Sequence, residues 1–134
     1  MNERENTGGY ISDTVRSTGM AVMQDEIYRV GKLSLDVGRH VLAGPRGEVL
    51  LARVPFRIME KLMRREGVIQ SQDAITQAIW SDPDDEPDDP GRVIREKISK
   101  LRGLICLIGT EGPSGVEIRN EREVGYYIQS RKSR

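Results

Sequence analysis

Basic side chains recur at helical spacing between Pro90 and Arg102, where the chain reads PGRVIREKISKLR. Guanidinium and ammonium groups placed along one face of a helix are suited to bind a polyanion. An amphipathic helix whose basic face is simply solvated has the same pattern, so neighbouring elements must distinguish the two interpretations. The side chains that share this polar stripe are Arg92, Arg95, Ser99 and Arg102, with Lys97 and Lys100 flanking it.

The opposite stripe of the same segment is apolar and predicts a face buried in a core. It consists of Ile94, Ile98, Leu101 and Ile105. Asp88 or Asp89 is expected to cap this helix, because a carboxylate accepts from free amides at a helix start. We expect the helix to end near Arg102 and the following LICLI run to close it against the core.

Net charge is zero over the 134 residues, but the charges are unevenly placed. Ser81–Asp89 carries six acids and no base, whereas Pro90–Arg134 carries ten Lys/Arg against five acids. The length predicts one domain of ordinary size with a tail. An acidic segment followed by a basic half therefore indicates two surfaces of opposite sign on one small domain.

The cysteine and hydropathy patterns predict a soluble cytoplasmic protein that does not contact membranes. Cys106 is the only cysteine, so no internal disulfide can form and a reducing compartment is expected. It lies in LICLI and is predicted to be a small core residue. No apolar run approaches the roughly 20 residues of a membrane span, and no signal-peptide pattern begins the chain.

The sequence contains no residue pattern that predicts catalysis. His40 is the only histidine and is expected on an exposed strand. One Cys, one His and scattered acids form no metal-binding cluster and no nucleophile–base pair at local spacing. We therefore predict no enzyme activity, no metal site and no cofactor.

Alternating apolar and polar residues predict a small antiparallel sheet of three or four strands before the helices. Its strands are expected at residues 27–30, 32–35, 39–42 and 48–51, with a tight turn at 44–47. A helix is predicted from Pro55 to about Glu66, ending at Gly67. A second helix is predicted at 72–80, capped by Ser71.

After these helices, SDPDDEPDD is predicted to be a loop because prolines and like charges oppose a helix interior. Residues 116–119 and 125–129 are predicted to pair as a hairpin, with 120–124 at its tip. The whole order defines three parts: a flexible arm at 1–24, a domain at 25–130 and a basic tail at 131–134.

Four motifs in this order resemble the OmpR/PhoB-type DNA-binding domain of bacterial response regulators, over about residues 27–128. LARVPF at 51–56 is similar to the family's first-helix pattern, and VIQS at 68–71 with Trp80 is similar to its second-helix pattern. ISKLR at 98–102 resembles its I-x-x-L-R recognition helix, and IRNEREVGYYI at 118–128 resembles its wing. The resemblance implies an α+β winged helix-turn-helix: an N-terminal antiparallel sheet, three helices and a C-terminal β-hairpin wing.

Several residues depart from the family pattern. Ala52 replaces the usual threonine cap and Pro55 the usual glutamate, while Glu123 stands where the wing usually has glycine. Glu96 occupies a position on the DNA side that is often apolar or small. The arm at 1–24 cannot hold a receiver domain, so phosphorylation control of the family kind is not expected.

The resemblance implies sequence-specific binding of double-stranded DNA, with the third helix in the major groove. Arg122 at the hairpin tip is expected to enter a narrow minor groove, where the potential is most negative. Because the family often binds direct repeats in tandem, a homodimer on DNA is expected. The DNA-binding residues implied are Arg92, Arg95, Ser99, Lys100, Arg102, Arg119, Asn120 and Arg122.

The acidic loop admits three interpretations: a solvated capping loop, a repellent of non-specific DNA, or a docking surface. In the family this loop can contact RNA polymerase, often its sigma subunit, and acids suit a basic partner patch. The alternative function is therefore a protein-interaction module that binds RNA polymerase or another regulator; a sensor of small molecules is a third option. The partner-binding candidates are Asp82, Asp84, Asp85, Glu86 and Asp88.

Overall fold

A four-stranded antiparallel sheet begins the part of the chain that the computed structural model describes, residues 26–109 and 115–130. The predicted arm at 1–24, residues 110–114 and the predicted tail at 131–134 lie outside these residues. The sheet has the order β1-β2-β3-β4 and confirms the predicted N-terminal sheet. Its strands are β1 (Ile27–Val30), β2 (Leu33–Asp36), β3 (Val41–Gly44) and β4 (Gly47–Leu50).

The third strand begins two residues later than predicted, because His40 does not lie on a strand. Its φ of 59° is left-handed and belongs to the turn that precedes β3. The His40 ring is half-buried and stacks on the ring of Phe56, with centroids 3.8 Å apart. The expectation of an exposed strand histidine was therefore wrong, and the ring joins the sheet to the first helix instead.

Helix α1 (Arg53–Met63) begins before Pro55 and ends earlier than predicted. Ala52 precedes it without any side-chain cap. Proline at the third helical position has no N–H, so one of the amides that a cap would satisfy is absent. A turn follows, and Gly67, with φ of 82°, donates its N–H to the Ile128 carbonyl at 2.8 Å.

Helix α2 (Gln72–Ile79) starts as predicted, since the Ser71 hydroxyl accepts from the Ala74 N–H at 3.0 Å. At its other end the Arg53 guanidinium donates to the Ile79 carbonyl, which otherwise has no partner in the helix. A side chain from α1 thus caps the end of α2 and holds the two helices together. The segment that follows is a loop, as predicted, with a short 3₁₀ helix at Pro83–Asp85.

Helix α3 (Pro90–Leu107) is capped by Asp89, whose carboxylate accepts from the Arg92 N–H at 3.1 Å. The helix continues through Gly103 and includes most of the LICLI run, so the predicted end near Arg102 was too early. This continuation buries Ile105 and turns Cys106 outward. The prediction that Cys106 is a core residue was therefore wrong.

The C-terminal hairpin consists of β5 (Val116–Glu121) and β6 (Gly125–Ser130), paired antiparallel with Glu121 opposite Gly125. Strand β5 extends two residues closer to the tip than predicted, whereas β6 begins at Gly125 as predicted. Ile118 and Ile128 on its inner face join one hydrophobic core with the sheet and helices. Fully buried members of that core include Leu33, Leu35, Leu42, Ile58, Leu62, Ile75, Ile98 and Leu101.

Candidate nucleic-acid interface

The outward face of α3 carries the basic side chains that the sequence analysis singled out. Ile94, Ile98 and Leu101 are buried, which directs the remaining stripe toward solvent. The exposed positions are Arg92, Arg95, Glu96, Ser99, Lys100 and Arg102. This face can therefore present three or more cations to an anionic surface.

Glu96 interrupts the positive face. Its carboxylate accepts from the Arg92 Nε at 3.3 Å, one helical turn away, and both side chains are more than 60% exposed. Exposed pairs of this kind contribute little to stability because water screens them. The pair matters more for the charge of the surface, because the Glu96 carboxylate lowers the positive charge that Arg92 presents at the start of α3.

Arg102 is placed differently from its neighbours on the stripe. Its Nε and Nη2 both donate to the backbone carbonyl of Ile118, at 3.1 and 3.0 Å. The guanidinium therefore lies against strand β5 of the hairpin. Arg102 joins α3 to the hairpin through its Nε and Nη2 donors, although the residue is exposed.

Arg95 and the hairpin tip line a single cleft of about 240 Å³. Arg95 contributes from α3, Gln72 from the start of α2, and Asn120 from β5. The other lining residues are Glu123, Val124, Gly125 and Tyr126. The structure thus brings two of the predicted site residues, Arg95 and Asn120, onto one concave surface, although they are far apart in the sequence.

The hairpin tip contains a strained residue. Glu123 has φ of 66°, and the Val124 N–H donates to the Glu121 carbonyl at 2.9 Å. A positive φ at the third position of such a turn is typical of type II geometry and usually requires glycine. The tip retains the turn despite glutamate at the family's glycine position, and Arg122 remains exposed at its apex.

The hairpin is held to the segment before α2 by a two-way backbone bridge. The Gln70 N–H donates to the Tyr126 carbonyl at 2.8 Å, and the Tyr126 N–H donates back to Gln70 at 2.9 Å. At Gly125 a Cβ atom would overlap the Gln70 carbonyl oxygen. Glycine is therefore needed at 125 for this close approach, and the neighbouring Tyr126 is buried.

The remaining hairpin candidates are exposed on β5. Arg119 pairs with Glu117 on the same strand at 3.6 Å, which leaves its side chain 53% exposed. Asn120 follows it and lines the cleft. These two positions lie between the helix-tied part of β5 and the tip.

All five partner-binding candidates in the acidic loop are exposed. Asp82 accepts from the Asp84 N–H at 3.0 Å and so supports the 3₁₀ turn, whereas Asp89 caps α3. Trp80 beside the loop is buried. Asp84, Asp85, Glu86 and Asp88 therefore present their carboxylates to solvent without a capping role.

A second basic cluster was not singled out by the sequence analysis. Lys61, Arg64 and Arg65 at the end of α1 line a polar concavity of about 440 Å³ together with Gln70. In the sequence these three residues have the pattern of the polar face and C-terminal end of an ordinary helix. Only their placement beside the Gln70–Tyr126 bridge distinguishes them.

Residues 26–109 and 115–130 contain no cluster suited to bind a metal ion and no helix suited to cross a membrane. These residues hold no group of three or more Cys, His, Asp or Glu side chains placed to bind a metal ion. None of their helices is long and apolar enough to cross a membrane.

The described residues form a winged helix-turn-helix, with a four-stranded sheet, three helices and a hairpin wing. A family model described as "Transcriptional regulatory protein, C terminal" matches residues 46–128, more than half of the chain. The chain belongs to this family of OmpR/PhoB-type DNA-binding domains, which confirms the resemblance and the predicted fold class. The family is one of transcription regulators and not an enzyme class.

Solved structures of other regulators are similar in fold. The Klebsiella pneumoniae RstA DNA-binding domain, solved in complex with the RstA box, is 21% identical, with a TM-score of 0.59 over 78% of this chain and 97% of that chain. The DNA-binding domain of CpxR from E. coli is 20% identical, with a TM-score of 0.62 over 78% and 97%. That of E. coli CadC is 17% identical, with a TM-score of 0.60 over 80% and 94%. No curated protein matches the sequence.

Proposed function

We propose that the protein binds double-stranded DNA sequence-specifically, with α3 in the major groove and Arg122 of the wing in the minor groove. The observation that carries this proposal is the shared cleft of Arg95 and Asn120. Because both side chains line this cleft, the basic face of α3 and the end of the wing lie toward the same side of the molecule. One duplex can then contact α3 and the wing at the same time, so that phosphate contacts and base contacts form together.

The side chains divide by the contacts they can make. Arg95, Ser99 and Lys100 lie on the exposed face of α3 and are assigned to base edges in the major groove. Arg92 at the helix start, and Arg119 and Asn120 on the wing, are assigned to phosphates. Arg102 is assigned a positioning role, because its donors are directed to Ile118.

The proposal is tested by titrating the full chain with genomic DNA fragments at two salt concentrations. Binding should weaken as salt rises, because phosphate neutralisation releases counterions. Lys100→Ala should weaken binding to a recovered cognate duplex by about 1–3 kcal/mol if it contacts a base. Unchanged affinity in Lys100→Ala and Arg95→Ala would reject the assignment of α3 to the major groove.

A second candidate is a protein-interaction module that docks on RNA polymerase, for example its sigma subunit, through the acidic loop. The exposed carboxylates of Asp84, Asp85, Glu86 and Asp88 favour it, since they are free of capping roles. Replacing these four by Asn or Gln should abolish capture by polymerase but leave duplex binding intact or stronger. Loss of duplex binding in that variant would count against a separate docking role.

Tandem binding is the third element of the proposal. Two copies on a direct repeat would form a homodimer on DNA without a dimer in free solution. Sedimentation of the protein alone and with a two-site duplex distinguishes these cases. One copy on a two-site duplex at saturation would contradict tandem binding.

A further inference from the structure

The basic cluster at the end of α1 forms no ion pair within the part of the chain that the structure describes. The two acids nearest to it in the chain are engaged elsewhere: Glu60 pairs with Arg57 at 3.1 Å, and Glu66 accepts from Ser130 at 3.0 and 3.1 Å. Among the described residues no carboxylate pairs with Lys61, Arg64 or Arg65. Three cations around one polar concavity form a site for an anion.

This concavity adjoins the proposed DNA cleft. Gln70 lines the concavity, and Tyr126 lines the cleft. The two residues are joined by paired backbone hydrogen bonds of 2.8 and 2.9 Å. The two depressions therefore adjoin each other at one backbone bridge.

We propose that Lys61, Arg64 and Arg65 bind the sugar–phosphate backbone of the same duplex, beyond the contacts of α3 and the wing. The inference rests on the proposed function, because it requires a duplex in the neighbouring cleft. Ammonium and guanidinium groups both bind phosphate oxygens, and contacts to phosphates carry no base specificity. The contacts thus add affinity and salt dependence without altering sequence preference.

The test uses the full chain with Lys61→Gln, Arg64→Gln and Arg65→Gln combined, and a mixed-sequence duplex of about 30 base pairs. Dissociation constants are measured across a range of salt concentrations. The slope of log K against log salt is negative, and each lost phosphate contact should reduce its magnitude by about 0.9, so a reduction of about 2–3 is expected. Affinity at low salt should fall about tenfold or more.

A matched control removes the same charge elsewhere. Arg29→Gln, Lys32→Gln and Arg39→Gln lie in the first sheet and its turns, where all three side chains are exposed. The control should leave the slope at the wild-type value. An equal fall in both triple variants would indicate a general effect of net charge and would overturn the inference.

Other outcomes separate this inference from the proposed function. If the wild type does not bind the duplex, both fail together. If it binds and the cluster variant keeps the wild-type slope, only the phosphate contacts are rejected. Loss of self-association with an unchanged slope would identify the cluster as a docking site for an acidic segment of a second copy. If the triple variant has a lower melting temperature than the wild type, the single variants replace it in the test. Each should reduce the magnitude of the salt slope by about 0.9.

Discussion

The guanidinium of Arg102 donates two hydrogen bonds to the carbonyl oxygen of Ile118, at 3.1 and 3.0 Å. These bonds join α3 to β5 of the wing, two elements that the proposed function requires on the same duplex. Because the donors of a guanidinium are arranged in a rigid fork, this contact restricts the orientation of the wing relative to the helix. Arg102, which the sequence pattern predicts to be a DNA contact, is thus hydrogen-bonded to the wing.

Arg102→Ala and Arg102→Lys should both weaken DNA binding, since an ammonium cannot reproduce the fork. Arg102→Ala should also lower the free energy of unfolding by about 1–2 kcal/mol, through loss of charge-assisted hydrogen bonds. The loss of affinity should be strongly non-additive with Arg122→Ala, because both changes remove the contribution of the wing. A double-mutant cycle by fluorescence anisotropy measures this coupling. Full recovery in Arg102→Lys would instead identify Arg102 as a direct phosphate contact.

Glu96→Gln should strengthen duplex binding by about threefold to tenfold at low salt, as removal of one negative charge raises the local potential. Stability should change by less than about 0.5 kcal/mol, because the pair with Arg92 is exposed. Titration of a mixed-sequence duplex gives the affinity, and thermal unfolding gives the stability. Glu48→Gln on β4 is the matched control and should have little effect; equal gains in both variants would contradict a local role for Glu96.

Gly125→Ala should lower the free energy of unfolding by about 2–3 kcal/mol, because its Cβ would overlap the Gln70 carbonyl. Gly103→Ala is the matched control, since a Cβ there meets nothing within 4 Å and the site is inside α3. It should raise stability by about 0.5–1 kcal/mol. Chemical denaturation of both variants measures the difference. Equal stability of the two would show that the wing does not need its close approach to Gln70.

Glu123→Gly should raise stability by about 0.5–1 kcal/mol. A left-handed conformation costs a non-glycine residue about 1–2 kcal/mol, and glycine removes this cost from the folded state. Part of the resulting stabilisation is lost, because glycine also makes the unfolded chain more flexible. Arg122→Gly should lower stability, since Arg122 is not among the described residues with positive φ. Denaturation midpoints of both variants provide the measurement. A destabilised Glu123→Gly would indicate that the Glu123 side chain itself supports the tip.

Local signals predicted the starts of α2 and α3. Ser71 was identified as the first cap and either Asp88 or Asp89 as the second; Ser71 and Asp89 accept the expected backbone N–H. Capping depends on three or four neighbouring residues, so sequence contains the necessary information. The end of α3 was missed for a related reason: Gly103 resembles a stop signal, but packing of Ile105 favours continuation of the helix.

The sequence by itself determined the order of elements, the apolar faces and the family, because periodicity, caps and motifs are properties of adjacent residues. Only the tertiary structure decided that His40 stacks on Phe56 and that Arg102 is directed to Ile118. It alone also placed Arg95 beside Asn120, and the cluster of Lys61, Arg64 and Arg65 beside the wing. Each of these relationships joins elements that are distant in the chain, and their side chains meet only when the core between them packs.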